Sequence, residues 1–321
     1  MNILWPDIHK NLTKSMAKAF DLLNYNIIIP SKDYNIKHRP PKQFSQFVWN
    51  EEWTQEKANI FFDTKNVKIL SKEQILDLKP EVVFITNFES QFEILEELYP
   101  ILNNKSKFAF YSGNDYWDGA YPFFKIKNYL CADYTGYLLS RKYNLNYLYY
   151  KPWVDYDNLK FAGYSDQFNI GIYISEYEKN FSKEYQYSKH LEKLTPWINY
   201  IYNTKSTHQE VLDSLHKSIA TQHIKSLEGY GIAIIESMAC GRPVFLHRQL
   251  SMNKSLLQWS IENATALFFD SDHEYISKLK SFIDSKDYRY YLQETCSKTI
   301  RKIIDNKTET ENLNKFLINL N

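Results

Sequence analysis

Short runs rich in β-branched and aromatic residues alternate with longer stretches of helical periodicity through most of the chain, and this rhythm constrains the fold more than any other feature. In the first half the strand-like runs are Asn2 to Trp5, Asn26 to Ile29, Val67 to Leu70, Glu81 to Thr86 and Lys107 to Tyr111. Several are apolar enough to be buried on both faces. Helical patterns lie between them at Thr13 to Leu23, Lys72 to Leu78 and Glu89 to Leu102. Ser71 followed by Glu73 and Gln74 predicts a helix start, and Pro80 predicts the end of that element. The second half repeats the rhythm, with strands at Asn169 to Ile174, Trp197 to Tyr202, Ile219 to Ile224, Pro243 to Leu246 and Ala266 to Phe269. Its helices are expected near Lys183 to Lys193, Gln209 to Lys217, Ile232 to Cys240 and Glu274 to Ile283. Strand, helix, strand in repetition predicts an α/β protein whose parallel sheets are covered by helices on both sides.

With 321 residues, 44% of them hydrophobic, the chain has enough apolar side chains for two such domains. The proline-bearing segment Lys151-Pro-Trp-Val-Asp-Tyr-Asp is the expected boundary, giving domains at 1–155 and 156–321, with room for the last helix to cross back to the first domain. A formal net charge of +1 disfavours nucleic acid as a partner, because neutralising a phosphate backbone needs a concentrated excess of Lys and Arg. The first 42 residues are locally basic through Lys10, Lys14, Lys18, Lys32, Lys37, Arg39 and Lys42, which leaves peripheral contact with anionic lipid open. Cys131, Cys240 and Cys296 are widely spaced and suggest neither a disulfide framework nor a zinc site, so a reducing, cytoplasmic setting is expected. Neither a signal peptide nor an apolar run of membrane-spanning length is visible.

Only eight glycines occur, about a third of the usual share of ~7%, and three of them fall in Ser226-Leu-Glu-Gly-Tyr-Gly-Ile-Ala-Ile-Ile-Glu-Ser-Met-Ala-Cys-Gly-Arg-Pro-Val. This segment predicts a strand end, a loop, a helix stopped by Gly241 and a strand opened by Pro243. Gly229 and Gly231 allow close approach of a ligand to backbone, and the helix starting near Ile232 offers unpaired N–H groups and a positive dipole end to an anion. Glu228 precedes that helix and Glu236 lies one turn inside it, so both carboxylates should approach the same opening. Carboxylates beside a phosphate make sense as acceptors for hydroxyls, and the combination fits a sugar nucleotide.

Glu228 and Glu236 have the spacing of the E-x7-E signature, and the segment resembles that of retaining, family-four-type glycosyltransferases. Gly-Tyr-Gly, Ser-Met-Ala-Cys-Gly, Arg-Pro-Val and Glu262-Asn-Ala-Thr-Ala-Leu-Phe-Phe-Asp are similar to that family's wording as well, so the resemblance covers residues 165–285 best. It implies the GT-B architecture, two Rossmann-like parallel-sheet domains facing across a cleft. It further implies that Glu228 contacts the transferred sugar, that Glu236 holds the nucleotide ribose, and that amides around Tyr230, Gly231 and Ile232 meet the diphosphate. The family's basic pair, an Arg and a Lys, falls on Ile172-Tyr-Ile-Ser-Glu-Tyr-Glu-Lys-Asn, where Lys179 matches the Lys and no Arg is present. Lys225 and Arg248 are the other cations at hand. In the first domain the family's His near the reacting sugar corresponds to Asn114 in Tyr111-Ser-Gly-Asn-Asp, followed by Asp115, and His9 is the nearest histidine.

The resemblance thus implies an enzyme taking a nucleoside-diphosphate sugar as co-substrate and a carbohydrate or lipid-linked acceptor, with no other cofactor and no metal. The donor segment itself carries no Asp-x-Asp pair. Retention through same-face attack would need no dedicated base, whereas an inverting variant would use Asp115 or His9. Two readings stay open beside it: a noncatalytic, transferase-like sugar-binding or scaffold subunit, and a nucleic-acid-modifying GT-B enzyme.

Overall fold

The computed structural model describes residues 1–5, 10–31, 54–86, 98–113, 125–174, 176–202, 208–226, 228 and 230–321. These divide into two compact units, Met1–Trp153 with Asn306–Asn321, and Val154–Asp305.

The first unit is built on seven parallel strands: β1 (Asn2–Leu4), β2 (Asn26–Pro30), β3 (Val67–Leu70), β4 (Val82–Thr86), β5 (Lys107–Ser112), β6 (Asn128–Cys131) and β7 (Asn146–Tyr149). Their spatial order is β3-β2-β1-β4-β5-β6-β7, the doubly wound order in which the chain reverses direction between β1 and β4. Side chains alternate across the sheet, and Leu4, Ile28, Val83, Ile85, Phe108 and Phe110 belong to one buried cluster. Ile3, Ile27 and Phe84 are also fully buried, as a sheet covered on both sides requires. The helix Lys72–Leu78 has the expected bounds: Ser71 accepts from the Gln74 amide while the Gln74 side chain returns to the Ser71 N–H, and Lys79 closes the element in the left-handed region.

The second unit carries β8 (Asn169–Ile172), β9 (Asn199–Tyr202), β10 (Ala220–His223), β11 (Val244–His247) and β12 (Ala266–Phe269), all parallel, in the order β12-β11-β10-β8-β9. Here the winding reverses between β8 and β10. The helices Ser182–Leu194 and Asp272–Asp284 bury Leu191, Tyr275, Leu279 and Phe282 in the same cluster as Ile170, Ile172 and Phe245.

The structure adds elements that the pattern does not mark. Strands β6 and β7 and the helices Gln55–Phe62 and Tyr134–Lys142 join the first unit, and Lys286–Ile303 is an 18-residue helix of the second. The expected helix Glu89 to Leu102 lies largely outside the described residues, of which 98–102 are helical.

Candidate functional site

In open parallel sheets ligands gather outside the carboxyl ends of the strands where the winding reverses. In the second unit that place is the end of β10, and the loop leaving it leads into the helix Ile232–Ala239. His223, the last residue of β10, and Lys225, from this loop, both reach Glu228. His223 Nε2 lies 2.9 Å from Glu228 Oε2 and Lys225 Nζ donates to the same oxygen at 3.0 Å. All three side chains are largely withdrawn from water, with 7%, 15% and 15% of their surface exposed for His223, Lys225 and Glu228. Burial by itself would raise the Glu228 carboxyl, but the Lys225 ammonium and the His223 contact outweigh it and hold the group well below the usual carboxylate range. Glu228 is therefore an anion throughout the neutral range.

The intervening residues are tied in the opposite sense. Tyr177 donates its hydroxyl to the Ile224 carbonyl at 2.6 Å and meets Ser188 Oγ at 2.9 Å. The Ser226 amide donates to Glu184 Oε1 at 3.3 Å, and the Ser226 hydroxyl bonds the same oxygen. His223 and Lys225 thus reach the carboxylate while Ile224 and Ser226 are held by the flanking helices, the alternation an extended backbone produces. The Lys225 ammonium also stands 4.9 Å from the centre of the Phe181 ring.

Gly231 precedes the helix with φ +64°, a left-handed conformation that favours glycine, and no side chain caps the helix start. The first amides of such a helix have no partner within it, which suits an anion. At the far end Gly241 has φ +77°, and a Cβ there would stand 2.9 Å from the Gln293 carbonyl and closer still to the Phe161 ring. Ser237 links the helix to β10 through Thr221 Oγ1 at 2.6 Å and donates to the Arg242 carbonyl at 2.8 Å. Arg242 is fully buried and donates to carbonyls of Leu215 and Gly163, each at 2.8 Å, with longer contacts to Ala162 and His216. In Arg-Pro-Val the arginine is a structural pin, and burial pulls it down to about 10.

Glu236 is half-buried in the helix. Burial first, opposed by Arg242, and then the Glu236 charge push the Cys240 thiol up to about 11. Tyr230 is buried with its ring centre 6.0 Å from that of Trp259, and Ile232 is the first helical residue. Lys179 has 71% of its side chain exposed and pairs with Glu176 at 3.3 Å. Arg248 is engaged by Asp270 at 2.9 Å and by Glu262 at 3.5 Å. Asp272, two residues after Asp270, holds His190 at 2.7 Å and Tyr187 at 2.9 Å. Among the described residues no three His, Cys, Asp or Glu side chains gather as a metal set, and no helix is long and apolar enough to cross a membrane. His9, Asn114, Asp115 and Gly229 lie outside the described residues, as do Lys32, Lys37, Arg39 and Lys42.

His223 is the member of this cluster that the sequence motifs do not point to. Its signal was available, since it stands two residues before Lys225 at the end of a strand and alternation places both on one side.

No protein-family model matches the chain, and no curated protein matches its sequence. Solved structures do. Anabaena Alr3699/HepE in complex with UDP-glucose superposes with a TM-score of 0.65 at 10% identity, over 100% of both chains. A variant of S. aureus TarM in complex with fondaparinux, alpha-GlcNAc-glycerol and UDP gives a TM-score of 0.68 at 9% identity, over 99% of both chains. A glycosyltransferase from Rickettsia africae gives 0.64 at 12% identity, over 100% of this chain and 98% of that one. At such identities the likeness is one of fold. The chain has the GT-B fold, with a seven-stranded and a five-stranded parallel sheet.

Proposed function

We propose that this chain is a glycosyltransferase that moves a sugar from a nucleoside-diphosphate donor to a hydroxyl of a glycan or lipid-linked acceptor, with retention and without a metal. The observation that carries the reading is the ionised, largely buried Glu228, held by His223 and Lys225 where the second sheet reverses its winding. The complexes of HepE with UDP-glucose and of TarM with UDP support a nucleotide-sugar donor.

In this reading the diphosphate lies at the amides around Tyr230, Gly231 and Ile232, where the helix start offers donors and a positive dipole end as charge develops. Lys225 takes the part of the arginine the resemblance calls for, since it stands beside Glu228 in the loop that leads into the helix, whereas Arg248 pairs with Asp270 and Glu262 after β11. An anionic Glu228 has no proton to give a leaving group, so it acts as acceptor for a sugar hydroxyl. Glu236 accepts from the ribose diol. The bond from the anomeric carbon to the diphosphate breaks, the acceptor oxygen bonds on the same face, and its proton passes to the departing diphosphate.

A thermal-shift screen against UDP and a panel of nucleotide sugars tests the donor, because a ligand at 100 times its Kd adds about 2.7 kcal/mol to the folded state. Glu236→Ala should weaken donor binding by about 1.5–3 kcal/mol, the worth of a hydrogen bond to a charged group. Glu228→Ala should lower transfer more than it lowers UDP affinity. Wild-type affinity and turnover in both variants would sink the site assignment. The exposure of Lys179 favours one rival, a sugar-nucleotide binder without turnover; binding with no transfer or hydrolysis across the panel would establish it.

A further inference from the structure

We infer that His223 is a positioning residue for Glu228, fixing the plane of the carboxylate by donating from Nε2, and that Lys225 supplies charge and His223 supplies geometry. This rests on the donor-site reading above. Both groups address one oxygen, Oε2, at 2.9 and 3.0 Å. Their mechanical situations differ. Lys225 hangs from a four-carbon stem with rotatable donors. His223 is the last residue of β10, in register with Leu246 of β11, and the next carbonyl, that of Ile224, is held by Tyr177 at 2.6 Å. A ring with two side-chain torsions on a hydrogen-bonded strand is the stiffer of the two supports. Because Glu228 is an anion and can only accept, the imidazole carries its proton on Nε2.

The two amide side chains separate geometry from proton transfer. Glutamine places its amide nitrogen where Nε2 stands, asparagine places it near Nδ1, and neither titrates. UDP affinity is measured by calorimetry and confirms a folded site in each variant. Turnover, as kcat and KM, is measured with UDP-glucose first and then with whichever nucleotide sugar of the panel the wild type consumes. His223→Phe and His223→Asn should lower kcat about 10- to 100-fold, the scale on which a misplaced reacting geometry is felt, with the Kd for UDP within about twofold of wild type. His223→Gln should recover most of the loss. Normal kcat in the Phe and Asn variants overturns the role. A Gln variant as impaired as Asn while still binding UDP overturns it too, and assigns His223 to proton transfer. A wild type that consumes no nucleotide sugar overturns the parent reading and this inference with it. Turnover by the wild type, matched by the variants, overturns this inference alone.

Discussion

The two sheets reverse their winding at comparable places, between β1 and β4 in the first unit and between β8 and β10 in the second, yet the described side chains at the two strand ends are opposites. At the end of β1 stands Trp5, fully buried, its ring 5.0 Å from Phe84, 5.1 Å from Tyr111 and 6.3 Å from Phe20, with its indole N–H on Thr13 Oγ1 at 3.3 Å. The end of β10 carries His223, Lys225 and Glu228 instead. Among the described residues, similar topology thus carries an apolar cluster at one strand end and a charged cluster at the other. Fold alone marks both strand ends as ligand addresses, and side-chain chemistry sets what each can hold.

The contrast breaks most visibly at the apolar cluster. Trp5→Ala removes the largest side chain from a closed aromatic cluster and should cost about 3–5 kcal/mol, read from urea denaturation of the full chain. UDP affinity of the folded protein should stay unchanged, because Trp5 belongs to the first unit and the Glu228 cluster to the second. A large loss of UDP affinity would show that the apolar cluster also serves the ligand.

At the charged strand end the corresponding variant is Lys225→Met, and its effect depends on pH. In the wild type the folded Glu228 carboxyl lies below its unfolded value, so its contribution to stability is fully present above about pH 4.5 and is lost as pH falls through the depressed folded value. Without the ammonium, the largest influence opposing burial is gone and the folded value rises. Lys225→Met should therefore cost about 3 kcal/mol at pH 7, the lower end for breaking a buried pair, and the gap to wild type should close as pH drops below 4.5. A gap that stays constant between pH 7 and pH 3.5 in urea denaturation would show that Lys225 acts through packing on Phe181 and not through Glu228.

Much of this was legible in the sequence where local signals and tertiary context agree. Helix Lys72–Leu78 was readable because Ser71, Gln74 and Pro80 all mark it, and β3 because three of its four residues, Val67, Ile69 and Leu70, are β-branched or apolar. Strands β6 and β7 were not, since Asn-Tyr-Leu-Cys and Asn-Tyr-Leu-Tyr have little to mark them. Their asparagines are satisfied from far away, Asn128 by the Phe108 and Asn321 carbonyls and Asn146 by Asn128 and Asn319. Helix Lys286–Ile303 hides its periodicity because its buried stripe includes Arg289, Gln293 and Ser297 beside Leu292, Cys296 and Ile300. In the candidate site, Glu228 and the helix start were readable from spacing. The clamp on Glu228 is only half legible: alternation puts His223 and Lys225 on one side, but no residue type announces that both meet the Glu228 carboxylate.

The smallest expected effect tests the support beneath the clamp. Ser226 is tied to Glu184 twice, through its amide at 3.3 Å and through its hydroxyl. Ser226→Ala removes only the second bond, so Glu184 keeps a partner and no buried charge is stranded. The loss should be about 1 kcal/mol, seen as a lower urea midpoint with an unchanged slope. If the tie also holds the loop against the strand end, turnover should fall by a few-fold while UDP affinity stays near wild type, because the helix-start amides proposed for the diphosphate lie beyond Glu228. A fall in stability with turnover untouched would mean that the Ser226 amide on Glu184 and Tyr177 on the Ile224 carbonyl hold the loop without the Ser226 hydroxyl.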